Sequence, residues 1–437
     1  MSYLNRLRYT SFWALDALKG GPVRKNLKDV KTILENPFDD KSRYIRERYL
    51  DRLLSHAYQT TPFYKAQKKS HNIEQFPVID KNTIIQNFSL FQSQNYLNLK
   101  NYEVSTSGST GVPFNVFHNK HKRLRNTADV LYFSNLTGYL VGDSLLFLES
   151  WRLMPKANAI SSFLKNIDYI DVSKFNIGQV NTLIGKLYKG NTSKVLVGLP
   201  SAFETIREYF RNNHINKEKL FNIKSIITVS EYLDKNLKHW LEDFFETNVV
   251  SRYSNEEMGI LAQQGINTQE DLFDFNWASY HLEILKFDCD EPAEHGEIGR
   301  IVITDLFNYC MPLIRYDTGD VGAFDNTKHY KNYKLKKIYG RKMDQVYDTK
   351  GAIVSPHLIH TIFYPFFKNI RQYQFVQTGK KDFLIKLNVY DKFQKEDELI
   401  QIVKSQFGQN SNIKIKYVNE IPLLASGKRK KVMNTYK

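Results

Sequence analysis

The sequence predicts an α/β protein: an α/β core preceded by helices, continued by a β-rich part, and followed by a small α+β domain. The prediction rests on changes of texture along the chain. Residues 1–103 repeat apolar and aromatic side chains at three- and four-residue spacing, as in SRYIRERYLDRLLSHAYQTTPFYKAQ, and read as helical. From 104 to 280 short apolar runs (SLLFLES, KVLVGLP, IKSIITVSEYL) alternate with helical segments such as SAFETIREYFRNNH. That alternation is the mark of an α/β core, which places ligand chemistry at strand ends. Residues 281–340 carry β-compatible runs (HLEILKFD, GEIGRIVITDLF, MPLIRYDTGDVG) separated by Gly and Pro, expected as a β-rich subdomain. The stretch 341–437 combines YQFVQTG, DFLIKLNVY, a helical KEDELIQIVKSQFG and NIKIKYVN, a terminal α+β domain. The joint around Arg341, Lys342, Met343 and Asp344 is too short for a flexible tether and reads as a hinge. There is no internal repeat and no low-complexity linker.

Composition narrows the class. With 437 residues, 42% hydrophobic and 25% charged, the chain can bury a large core and a smaller one. It has no apolar run long enough to cross a bilayer, and its first residues lack a separate apolar signal core, so a cytoplasmic location is expected. Two cysteines are too few for a disulfide framework or a cysteine-based zinc site. The histidines show no HExxH spacing, and His118 and His121 fall in a basic stretch that reads as surface. The excess of 62 basic over 46 acidic residues, a formal charge of +16, suits nucleic acid, anionic lipid or phosphorylated metabolites alike. A nucleic-acid-binding protein is disfavoured, because neither a C2H2 pattern nor an RNP-like aromatic motif is present. Leu4, Leu7, Phe12, Leu15 and Leu18 can share part of a helical face beside Arg6, Arg8, Lys19, Arg24 and Lys25. Such a face either packs onto the protein or makes peripheral contact with the inner membrane surface.

Five short stretches can carry chemistry. In STSGSTGVPF, Ser105, Thr106, Ser107, Ser109 and Thr110 supply hydroxyls, while Gly108 and Gly111 let backbone N–H groups approach phosphate. The spacing is not that of a Walker loop, and alone it suits an ordinary surface turn equally well. In SRYSNEEMG, Tyr253 can stack on a purine and a neighbouring carboxylate can bind Mg2+, or the acids begin a solvated helix. RYDTGD sets Asp320 in a glycine-bounded turn able to accept from both ribose hydroxyls, while Arg315 and Asp317 are explained by internal ion pairing. Arg341 of GRKMDQV can reach ribose or phosphate if the joint borders a cleft. Lys428, in IPLLASGKRKKV, sits on a Ser-Gly turn suited to an oxyanion or an α-phosphate, or belongs to a basic surface run.

In their order these pieces resemble the adenylate-forming acyl ligases, which include the acyl- and aryl-CoA synthetases; the likeness spans residues 40–437. Ser105–Gly111 is similar to their phosphate loop, Tyr253–Glu257 to their aromatic-to-glutamate motif and Tyr316–Asp320 to their ribose-binding turn. Gly340–Arg341 is similar to their hinge-side pair and Pro422–Lys428 to the segment of their catalytic lysine. The TPFY and FPVIDK pattern is most similar to the phenylacetate–CoA ligase-like branch, of the CapK type associated with capsular polysaccharide biosynthesis. The resemblance implies a large multi-subdomain N-terminal adenylation body and a small mobile C-terminal lid. It also implies ATP and Mg2+ as cofactors, a carboxylic acid as substrate, and CoA, an amine or a sugar-linked hydroxyl as acceptor. In that scheme Lys428 is catalytic, Glu257 holds Mg2+, Tyr253 contacts adenine, and Asp320 and Arg341 hold ribose. The chain departs from the family pattern at Ser254 and Glu256, at Met343, and at Leu423 and Leu424. Alternatives are an aryl-acid–CoA ligase with no polysaccharide role and a catalytically inactive scaffold.

Overall fold

The computed structural model describes residues 2–67, 70, 72–106, 114–149, 159–171, 177–188, 193–214, 222–266, 272–325, 333–336, 338, 346–354, 359, 362–366, 369–422 and 430–436. The chain forms two compact units, Met1–Thr318 with Gly322–Lys337, and Gly319–Val321 with Ile338–Lys437.

The first unit opens with helices α1 (Tyr3–Leu18), α2 (Pro22–Glu35), α3 (Asp40–Thr60), α4 (Pro62–Lys65) and α5 (Lys81–Gln86). A hairpin of β1 (Tyr102–Thr106) and β2 (Phe114–His118) leads into α6 (Lys120–Leu136). Then strands and helices alternate: β3 (Ser144–Glu149), α7 (Ala159–Lys165), β4 (Ile167–Asp171), α8 (Ile177–Tyr188), β5 (Lys194–Gly198), α9 (Pro200–Asn212), β6 (Ile223–Val229), α10 (Lys235–Phe245) and β7 (Asn248–Asn255). After these come β8 (Gly259–Gln264), β9 (Leu272–Phe275), β10 (Tyr280–Leu285), β11 (Gly299–Asp305), β12 (Tyr316–Phe324) and β13 (Leu335–Lys336).

Strands β3 to β13 make one 11-stranded sheet in the order β10-β11-β12-β13-β9-β8-β7-β6-β5-β3-β4. From β4 to β7 the pairing is parallel, and at β8 it turns antiparallel. The parallel strands read as unbroken apolar runs because helices cover both faces: Lys194–Gly198 of β5 is buried at every position. Helix α10 shows how its neighbours are specified. Asp234 caps it by accepting from the Asn236 and Leu237 amides, and Leu237, Leu241 and Phe245 face the core at four-residue spacing. Phe203, Ile206 and Phe210 of α9 fill the same core, each contributing roughly 1.5–3 kcal/mol by leaving water.

Two local expectations are corrected. RYDTGD is not a turn: Tyr316–Asp320 runs inside β12, with Gly319 at φ +76°. Of the predicted face of α1, Leu4, Leu7, Leu15 and Leu18 are exposed and only Phe12 is half-buried, while the buried residues of α1 are Asn5 and Asp16. Cys310 is buried and Cys289 exposed, both unpaired thiols. No helix among the described residues is long and apolar enough to cross a membrane.

The second unit contains β14 (Val346–Tyr347), β15 (Ile353–Val354), β16 (Ile370–Gln377), β17 (Asp382–Val389), α11 (Glu396–Phe407), β18 (Asn412–Tyr417) and β19 (Val432–Asn434). A four-stranded sheet in the order β18-β17-β16-β19 packs on Leu399, Val403 and Phe407 of α11. Three acids in the first turn of that helix, Glu396, Asp397 and Glu398, complement its dipole.

Gly198, at the end of β5, lies opposite Leu148 of β3, where a Cβ would stand 2.6 Å from the Leu148 Cβ. Gly198→Ala should therefore destabilise the protein by about 1–3 kcal/mol in urea unfolding, the usual cost of overpacking; an unchanged midpoint would contradict this packing.

Candidate active site

Strands β7 and β8 form a hairpin whose tip is Glu256, Glu257 and Met258. The two acids therefore lie on a turn between strands and do not start a helix. Asn255 Oδ1 accepts from the Met258 amide at 3.0 Å and closes the turn. Gly259 follows at φ +120°, where a Cβ would stand 3.1 Å from Asn126 Oδ1 and 3.2 Å from the Tyr280 hydroxyl, so only glycine fits. Glu256 is exposed and Glu257 buried. The residue that departs from the family pattern thus faces outward, while the one in the glutamate position faces inward.

Three side chains hold the tip. The buried Tyr316 hydroxyl donates to Glu257 Oε1 at 3.0 Å. His118, at the end of β2, lies with Nε2 2.8 Å from the Glu257 carbonyl oxygen. The Tyr280 hydroxyl donates to the Met258 carbonyl at 2.8 Å. Behind Tyr280, Lys122 donates to the same hydroxyl at 3.1 Å and pairs with Asp305 Oδ2 at 2.6 Å, both charged side chains being wholly buried. Burial, reinforced by the Lys122 charge, pulls the His118 pKa down to about 4. Its imidazole is therefore neutral, and because a carbonyl can only accept, Nε2 carries the proton. Burial raises the Tyr280 pKa well above its ordinary value, so that hydroxyl keeps its proton. Burial lowers the Lys122 pKa, against the attraction of Asp305.

Tyr316 is fixed in turn. Ile79, in the FPVIDK segment, bridges to it in parallel: the Ile79 amide donates to the Arg315 carbonyl at 3.0 Å and the Asp317 amide to the Ile79 carbonyl at 2.7 Å. Arg315, in the left-handed region at φ +50°, spreads its guanidinium over Glu283 Oε1 at 2.9 Å and the carbonyls of Glu74 and Phe76 at 3.1 and 3.0 Å. Alternation along β12 sends Asp317 away from Glu257, to Arg300 at 3.1 Å. Arg315 and Asp317 are thus ion-paired with separate partners. Thr318 returns toward β7, where the half-buried Tyr253 donates to its Oγ1 at 3.5 Å.

The other predicted residues fall as follows. Ser105 and Thr106 end β1, which pairs with β2 through Thr106 and Phe114. Asp320 is half-buried on β12 and groups with the second unit. Ser107, Gly108, Ser109, Thr110 and Gly111, the joint Arg341, Lys342, Met343 and Asp344, and Lys428 lie outside the described residues. Among the described residues no cluster of three or more His, Cys, Asp or Glu is arranged to hold a metal. The buried Glu257 carboxylate, which accepts from Tyr316, is an oxygen donor of the kind that fits Mg2+ when water and substrate phosphate supply most of its ligands.

Sequence reasoning missed His118 and Lys122. The stretch KHKRLRNTAD reads as a basic surface, yet His118 and Lys122 are buried, and Arg125 is enclosed by Asp29, Ser279 and the Ala278 carbonyl. The available signal was spacing: Lys122, Arg125 and Asp129, all buried, recur at three- and four-residue intervals along one side of α6.

Unfolded His118 protonates near its ordinary 6.5 but the folded residue only near 4, so the unfolded chain binds more protons between these values. Stability from the neutral imidazole is full above about pH 6.5 and lost, by about 3 kcal/mol, as pH falls toward 4. In urea unfolding the stability gap between wild type and His118→Gln should narrow over that window. A gap independent of pH would refute the buried neutral imidazole.

Comparison with known proteins bears on the same elements. Residues 346–435 match the model of the CapK C-terminal domain. Protein CapK of Staphylococcus aureus is 24% identical over 378 residues, covering 84% of this chain and 81% of its own. The phenylacetate-coenzyme A ligase of Thermus thermophilus is 23% identical over 366 residues, covering 77% and 78%. Among solved structures, 2-hydroxyisobutyryl-CoA ligase in the postadenylation state, in complex with R3-HIB-AMP, superposes with a TM-score of 0.72 at 15% identity over 91% of each chain. By these matches the chain is similar to CapK and to phenylacetate-coenzyme A ligase, and it shares the fold of 2-hydroxyisobutyryl-CoA ligase.

Proposed function

We propose that this protein is an AMP-forming ligase that activates an organic carboxylic acid with ATP and passes the acyl group to an acceptor. The single observation that carries this reading is a pair of hydrogen bonds. Tyr316 to Glu257 and Tyr253 to Thr318 join the aromatic-to-glutamate motif to the ribose motif, 59 and 65 residues apart in sequence. A purine-stacking ring, a carboxylate and the strand bearing Asp320 are what one nucleotide requires.

In this reading a carboxylate oxygen of the acid attacks the α-phosphorus of ATP, the bond to pyrophosphate breaks, and an acyl-adenylate forms. The acceptor then attacks the acyl carbon and AMP leaves. Lys428 aligns the acid and offsets charge developing on the α-phosphate. Ser105, Thr106, Ser107, Gly108, Ser109, Thr110 and Gly111 grip the leaving phosphates. Tyr253 stacks near adenine, and Asp320 and Arg341 hold ribose. Glu257 holds Mg2+, which when bound neutralises phosphate charge. The domain from 341 to 437 acts as a lid that turns at Arg341–Asp344, withdrawing Lys428 so that the acceptor can enter.

The name of the relative CapK is the support for a place in surface or capsular polysaccharide biosynthesis, and for that setting we propose a sugar-linked amine or hydroxyl as acceptor. Likeness to phenylacetate-coenzyme A ligase favours a second reading, an aryl-acid–CoA ligase. A screen of acids against acceptors, with AMP release and product mass as readouts, separates the two. AMP formation with no acid, or none with any acid, would overturn the ligase reading.

Lys428→Ala should lower acid-dependent pyrophosphate release about 100-fold, the effect of losing one transition-state contact worth about 3 kcal/mol, with an unchanged melting transition. Glu257→Gln should raise the Mg2+ concentration needed for half-maximal rate; an unaltered Mg2+ response would remove Glu257 from the metal shell.

A further inference from the structure

Helix α1 is turned inside out. Leu4, Leu7, Ser11, Leu15 and Leu18 follow one another at spacings of three and four residues, yet the four leucines are 52–84% exposed. The helix docks instead through the buried Asn5 and Asp16 and the half-buried Phe12 and Trp13. Asn5 lies so close to Gly142 that a Cβ there would stand 2.6 Å from the Asn5 carbonyl oxygen. Asp16 accepts from the Val23 and Arg24 amides at 2.9 and 3.0 Å and ties α1 to α2. This docking fixes which side faces outward. Beside the stripe, Arg8 lies 5.1 Å over the ring of Phe163 at the end of α7, where Phe163 and Leu164 are 66 and 62% exposed. The exposed leucines of α1 and the exposed Phe163 and Leu164 are thus linked across Arg8 into one apolar ridge interrupted by that cation.

The charge exposed by the first 28 residues has one sign. Between positions 1 and 28 the sole acid is the buried Asp16, against six basic residues, Arg6, Arg8, Lys19, Arg24, Lys25 and Lys28. Lys165 adds another at the end of α7. A second copy of this chain docked through the same face would set these cations against their own equivalents, which is repulsive. The stripe offers a protein partner one hydroxyl, Ser11, with which to fix register. An apolar ridge rimmed by cations is complementary to a layer with an anionic surface and an apolar interior.

We propose that α1, with the tip of α7, lies in the interfacial layer of an anionic phospholipid bilayer, leucines among the acyl chains and the basic residues at the headgroup phosphates. The inference is independent of the ligase reading. It is tested by flotation of the purified full chain with vesicles of phosphatidylglycerol and phosphatidylcholine, against vesicles of phosphatidylcholine alone, at about 0.1 M and about 0.5 M salt. The chain should float with the anionic vesicles, less in high salt, and little with the neutral ones. Leu7→Glu with Leu15→Glu should cut partitioning at least about ten-fold while leaving the unfolding transition unchanged, because both positions are already exposed. Lys19→Gln and Arg24→Gln should each weaken it roughly five-fold. Three results would overturn the proposal: no flotation with anionic vesicles, undiminished flotation of the double-glutamate variant, or a wild-type dimer in light scattering that the same variant dissolves, which would give the face to a second copy.

Discussion

A buried ion pair sets the rest of the site. Lys122 and Asp305 are both removed from water, and stranding either would cost about 3–5 kcal/mol, so α6 and β11 must be held together. Tyr280 takes its place beside that pair and holds the Met258 carbonyl; His118, on the strand leading into α6, holds the Glu257 carbonyl. The tip of the β7–β8 hairpin is thereby held by elements from four parts of the first unit. Its carboxylate does not have to be organised when a substrate arrives, and electrostatic catalysis depends on that kind of preorganisation.

The hairpin also stands where the large sheet changes character. Strand β7 is the last of the parallel run and β8 the first antiparallel strand. Open α/β sheets bind ligands beyond the carboxyl ends of their strands, and Glu257 follows such an end. The antiparallel strands past it include β12, which brings Tyr316 and Thr318 back toward the β7 end. A carboxylate and an aromatic ring from one half of the sheet therefore meet hydroxyls from the other.

Much of this was readable from the residues, though unevenly. Strands β3, β5 and β6 stand out as apolar runs because both of their faces are covered, and α9, α11 and the strands of the second unit follow their periodicity. The order of short motifs pointed to Tyr253, Glu257 and the Tyr316–Asp320 segment. The support behind them was not readable. Lys122 meets Tyr280 and Arg125 meets Ser279, each more than 150 positions away, and beyond their helical spacing nothing in the residues themselves distinguishes them from the exposed Lys120 and Arg123. RYDTGD looked like a turn because its glycine and acids are turn formers, but pairing with Ile79 draws its first residues into a strand. For α1 the spacing gave the stripe and not its direction. Periodicity is the same for a face turned inward or outward, and here Asn5 and Asp16 occupy the inner side.

The Arg315 clamp bears on how the polypeptide is made. Its guanidinium reaches back to carbonyls 239 and 241 positions earlier, so a nascent chain carries an unfinished seam until that arginine has emerged from the ribosome. Closing so distant a contact is slow, and the surface awaiting it is open to misassembly in the interval. A chain truncated before Arg315 would leave the Phe76–Ile79 segment without its anchor and Glu257 without Tyr316. Early termination would therefore not release a smaller chain with the β7–β8 tip intact.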